Sequence, residues 1–87
     1  MKTIVETSSG LSKYLFADDV QIVTNADNIV IGNPAELTIS DLNSGNTTIT
    51  SDVTNAPSDW VGDRYFFDGS VWTQNPNWVV PNSYQEE

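Results

Sequence analysis

Asp59-Trp-Val-Gly-Asp-Arg-Tyr-Phe-Phe-Asp-Gly-Ser-Val-Trp-Thr-Gln-Asn-Pro-Asn-Trp78 is the stretch that decides how this chain folds. Two runs of β-favouring residues flank Asp68-Gly69, and an Asp-Gly pair in that setting predicts a two-residue type I′ hairpin, with positive φ at both turn residues. That turn sets Phe67 opposite Ser70, Phe66 opposite Val71, Tyr65 opposite Trp72 and Arg64 opposite Thr73. Alternation then puts Phe66 and Val71 on one face and Tyr65, Phe67 and Trp72 on the other. Both faces are apolar, so both call for cover. Asn75-Pro-Asn77 is expected to turn the chain so that Trp78-Val-Val80 folds back over the Tyr65 and Trp72 face.

The same stretch holds three tryptophans, one tyrosine and two phenylalanines in twenty residues. Those rings either fill the core of a small β domain or contact another molecule. As core they supply the large side chains that a cysteine-free domain of this size needs. As surface, Trp60, Tyr65, Phe67, Trp72 and Trp78 are the candidate interface or ligand contacts, with Asp68 and Gly69 shaping the turn that presents them.

Outward from the hairpin, the chain alternates short β-type runs with turn residues. Residues 3–7 form a weak strand around Ile4 and Val5. Residues 12–17 form a second, although Leu11, Tyr14 and Leu15 also share a helical face, which allows a short helix within residues 8–17. Asp18-Asp19 is a turn. Residues 20–24 place Val20 and Ile22 on one face, and Asn25-Ala-Asp-Asn28 turns the chain into Ile29-Val-Ile31, a second candidate hairpin. Gly32-Asn-Pro34 ends that strand. Leu37-Thr-Ile-Ser40 puts Leu37 and Ile39 on one face. Asp41–Asn46 is a loop, Thr47–Thr50 a β-branched strand, and Asn55–Ser58 a linker or corner. Short strands at this spacing predict an all-β fold, a small antiparallel β-sandwich or a partly open barrel built from hairpins. We expect one β domain over residues 1–81 and a flexible acidic tail over 82–87.

An 87-residue chain buries only about 60–65% of its extended surface. Marginal stability is therefore expected unless the domain docks on a partner or on copies of itself. With no cysteine and no histidine, the chain has no disulfide, no thiolate, and neither the usual general base nor the commonest metal ligand. Three basic residues against twelve acidic ones leave a net charge of −9, which argues against nucleic acid and anionic membrane as partners. The same charge suits a basic protein partner, or solubility in a salty medium. Glu6 interrupts the N-terminus too early for a signal-peptide apolar region, so use without Sec export is expected.

Chemistry is thin. Asp59, Asp63 and Asp68 bracket the aromatics and Asp18 stands beside Asp19, but so small a β domain has little room for a glycosidase cleft. Asp in loops is ordinarily turn chemistry. Loop carboxylates here lack EF-hand spacing, and no serine or threonine has a base to activate it. We expect no enzyme, no cofactor and no metal.

The hairpin sequence Trp60–Trp78 resembles the ends of small virion-associated proteins of tailed bacteriophages, marine cyanophage-like ones above all. The opening, Met1-Lys-Thr-Ile-Val-Glu-Thr-Ser-Ser-Gly-Leu-Ser-Lys-Tyr-Leu-Phe-Ala-Asp-Asp19, is similar to theirs too. The resemblance implies a virion protein made in an infected bacterial cytoplasm, and it carries no catalytic residue with it. Its expected partners are other virion proteins of capsid or tail, and a lattice of many copies of itself. Capsid decoration is the leading role, with tail or fibre association beside it. The alternatives are a carbohydrate-binding module that stacks host glycan on Trp60, Trp72 and Trp78, and a tail-fibre assembly chaperone.

Overall fold

The structure, a computed structural model, describes residues 1–78. The expected fold-back of Val79 and Val80, the end of the domain at residue 81 and the tail 82–87 lie outside the described residues. Among the described residues eight short strands run in chain order: β1 (Lys2–Glu6), β2 (Ser12–Phe16), β3 (Ile22–Thr24), β4 (Ile29–Ile31), β5 (Leu37–Ile39), β6 (Thr47–Thr50), β7 (Tyr65–Phe67) and β8 (Trp72–Gln74). The fold is all-β and wholly antiparallel, with strand orders β2-β1-β6, β3-β4-β5 and β7-β8. The sheets do not close into a barrel. Residues 12–16 are strand, not helix, because Ser12, Lys13 and Phe16 break the helical stripe while pairing with β1 satisfies their backbone.

Strand β1 organises the molecule. Its central residues Thr3, Ile4 and Val5 are all buried, so both faces of the strand are covered. Ile4 points into a core shared with the second sheet, where Ile29, Ile31, Ile39 and Leu42 are buried and Tyr14, Phe16, Val20, Ile22 and Ile49 pack around them. On the opposite face Val5 joins Val53 and Phe67, with Ala56 and Trp72 against them. The result is three layers: the β3-β4-β5 sheet, the β2-β1-β6 sheet, and the segment 53–78 with its hairpin. Each fully buried Ile or Phe contributes roughly 1.5–3 kcal/mol, so a chain this small depends on both cores.

A bulge in β2 makes the two faces possible. Ile4 pairs with Tyr14 but Val5 pairs with Ser12, so Lys13 is the extra residue. Tyr14 and Phe16 therefore stack on the Ile4 side, ring centroids 5.9 Å apart, while Ser12 turns to the Val5 side. Without that insertion Lys13 would face the buried layer.

The loops use their own amides. Asn25 N–H donates to the Asn28 carbonyl at 2.8 Å, closing the β3–β4 connection. In the loop before β6, Asn43 Oδ1 accepts from Gly45 N–H, Asn46 Oδ1 accepts from Asn43 N–H, both at 2.8 Å, and Leu42 anchors the loop in the core. The asparagine-rich middle of the chain is turn chemistry.

Candidate functional site

The third layer is built by strand docking and side-chain clamps. Phe67 N–H donates to the Gly10 carbonyl and Asp63 N–H to the Ser12 carbonyl, both at 3.0 Å, so residues 63–67 run along the outer edge of β2. Phe66 faces this junction, paired with Leu11. A Cβ at Gly62 would stand 3.0 Å from the Lys13 carbonyl, so glycine is what permits the close approach.

The hairpin forms, but its register departs from the expected one by two residues. Phe67 stands opposite Trp72, Phe66 opposite Thr73 and Tyr65 opposite Gln74. The cause is Asp68, whose Oδ1 accepts from Ser70 N–H at 2.9 Å and from Val71 N–H at 2.8 Å. Only Gly69 of the turn pair takes positive φ. The connection is therefore a four-residue loop, 68–71, in place of a type I′ turn, and Val71 is left 58% exposed at its end. A shift of two preserves the pleat, so Tyr65, Phe67 and Trp72 still share a face.

The aromatic candidates sit in different settings. Phe67 is only 5% exposed and belongs to the core, so it offers no contact surface of its own. Trp72 lies on it, centroids 4.2 Å apart at 29°, and meets Tyr65 edge-on at 6.3 Å and 89°. Both Tyr65 and Trp72 are half-buried. Asn55 holds Trp72 from the side: its Oδ1 accepts from the indole N–H at 3.2 Å, and its Nδ2 donates to the Ser70 carbonyl at 3.0 Å. The stretch 55–58 is thus a corner pinned to the hairpin.

Trp60 is tied inward. Its indole N–H donates to Ser12 Oγ at 2.9 Å, Ser12 and Thr3 hydroxyls lie 2.6 Å apart, and Thr3 Oγ1 donates to the Tyr14 carbonyl at 2.9 Å. The two ends set the direction: Thr3 gives its proton to a carbonyl, so Ser12 must donate to Thr3 and accept from Trp60. Thr3 and Ser12 are both fully buried. This relay has no counterpart in the sequence reading, where a Thr and a Ser nine positions apart carry no signal. Trp78 stacks under Arg64, whose guanidinium carbon is 4.8 Å from the ring centroid, and not over the Tyr65 and Trp72 pair.

Charge is organised around the same layer. Asp59 accepts from the Tyr65 hydroxyl at 2.7 Å and pairs with Arg64 Nη2 at 3.2 Å. The Tyr65 bond, then the Arg64 charge, hold the Asp59 carboxyl below its usual range, and the same bond pushes the Tyr65 phenol up. Lys13 pairs with Asp63 at 2.7 Å, which raises the ammonium above its ordinary value. The Asp68 carboxyl is pulled down by the Val71 and Ser70 amides. Each shift moves its group away from neutral pH. The layer thus presents a ring surface with fixed charges, suited to contact. Among the described residues no three acidic side chains gather as a metal set.

No family model, no curated protein and no solved structure matches this chain.

Proposed function

We propose that this chain is a non-enzymatic structural accessory subunit of a tailed-phage particle, seated as a decoration or cement protein on the capsid. The observation that carries the reading is the Tyr65 and Trp72 pair, two half-buried rings held at fixed geometry on a short hairpin beside unpaired strand edges. Strands β6 and β8 each pair on one side only among the described residues. An open edge can pair with another chain, and aromatic side chains are favoured anchors at interfaces. Net charge of −9 keeps the remaining surface in water until a complementary surface is met.

The ring geometry gives less support to the glycan-stacking alternative. A sugar platform needs ring faces side by side, whereas Trp72 has Phe67 against it and Tyr65 across its edge.

Mass spectrometry of gradient-purified particles, followed by cryo-electron microscopy, tests the proposal. The chain is expected at stoichiometric copy number, with Trp72 losing solvent exposure on assembly. Its absence from particles refutes a structural role. A tryptophan fluorescence shift on titration with host polysaccharide, abolished in Trp72→Ala, would move the reading to glycan binding.

A further inference from the structure

A second surface lies on the far side of the β2-β1-β6 sheet from the hairpin layer. The end of β2 and the β4–β5 connection enclose an open groove of about 590 Å³, floored by Phe16, Val20, Ile31 and Leu37 and lipped by Asp19 and Glu36. Leu37 is 44% exposed there although it shares a strand face with the buried Ile39. Asp19 and Glu36 are exposed, and neither has a cationic partner among the described residues.

We infer that this groove seats a basic, extended segment of a different protein, one large apolar side chain resting on Phe16 and Leu37 while lysine or arginine side chains reach Asp19 and Glu36. The volume falls within the range that takes a large side chain and its backbone. Charge complementarity chooses the occupant. The chain has three side-chain cations, Lys2, Lys13 and Arg64, and the Met1 ammonium is held by Asp18. Each is engaged within its own chain: Lys2 donates to the Val20 carbonyl at 2.7 Å, Lys13 holds Asp63, and Arg64 holds Asp59. A second copy brings only Lys2 without an anionic partner among the described residues, and two copies each at −9 repel. A heterologous basic partner meets both the floor and the lips. The inference stands on the groove alone and does not depend on the particle assignment.

The test is amide-resolved NMR titration of the isolated chain with a short synthetic peptide alternating lysine and leucine. Shifts are expected at Phe16, Asp19, Val20, Ile31 and Leu37, weakening as salt rises. Asp19→Asn combined with Glu36→Gln should lower affinity about fivefold and remove most of the salt dependence. Leu37→Ser should lower it about tenfold, and the same spectra report that each variant is folded. Equal binding by a glutamate–leucine peptide, shifts centred on the hairpin, or affinity unmoved by both variants would overturn the inference. So would concentration-dependent shifts at these residues with no peptide present, which would make the occupant a second copy. Because the readout uses the isolated chain, its result is separate from whether the chain is found in particles.

Discussion

Phe67 stands directly opposite Trp72, and the two rings stack with centroids 4.2 Å apart. The pair joins the hairpin to the rest of the molecule: Phe67 reaches Val5 and Val53 in the inner core, and Trp72 caps it from outside. Truncating the two should therefore have unequal effects. Phe67→Ala removes a buried ring and is expected to cost about 3–5 kcal/mol, enough to unfold a domain of this size. Trp72→Phe keeps the stack but loses the bond to Asn55, and should cost about 1 kcal/mol. Urea denaturation followed by circular dichroism measures both.

The buried relay makes a second prediction. Ser12→Ala leaves the half-buried Trp60 indole N–H without its acceptor and takes the donor from the fully buried Thr3. The expected cost is about 1–3 kcal/mol. Trp60 emission should change in the folded state, since the indole loses its hydrogen bond. Ser9→Ala, at an exposed serine bonded to Glu6, serves as control and should shift the denaturation midpoint little. Equal losses in the two variants would show that the relay contributes nothing particular.

Asp63 carries both a backbone and a charge role. Its φ of 70° is in the left-handed region, and its carboxylate holds Lys13 at 2.7 Å. Asn tolerates that conformation while Ala does not. Asp63→Asn should thus cost less than about 1 kcal/mol, the worth of a partly exposed ion pair. Asp63→Ala should cost about 1 kcal/mol more. Asp52, at φ 61° and exposed, has no comparable partner among the described residues, so Asp52→Gly should be neutral or slightly stabilising. Thermal melts of the three variants rank them.

Stability should fall at both ends of the pH scale, through different groups. Asp59 and Asp68 have depressed pKa values, so their contribution is present above the unfolded carboxylate value, near pH 4, and is lost as pH falls through the lower folded values. Lys13 and Tyr65 have raised values, so theirs is complete below the unfolded values, near pH 10, and is lost as pH rises through the folded ones. Asp68→Asn keeps an oxygen for the Ser70 and Val71 amides while removing a titrating group. It should flatten the acid limb and leave the alkaline limb unchanged, as read from denaturation midpoints across pH.

Alternation along the chain was enough to place most strands and to put Tyr65, Phe67 and Trp72 on one face, because side-chain direction in a strand has a period of two and is set locally. Turn residues located the loops for the same reason: Asn25–Asn28 and Asp41–Asn46 bond mainly within themselves. Register was another matter. Asp68-Gly69 favours a tight turn, yet the Asp68 carboxylate captured two amides and opened the loop, and a pairing shift of two is invisible to a pattern of period two. The bulge at Lys13, the Thr3 and Ser12 relay and the double burial of β1 depend on which distant segments lie above and below that strand. Tertiary packing alone decided that Phe67 is core, that Tyr65 and Trp72 stay half-exposed, and that Leu37 overhangs an acidic groove. Each outcome is set by where one layer ends over another, a distance in space that separation along the chain does not encode.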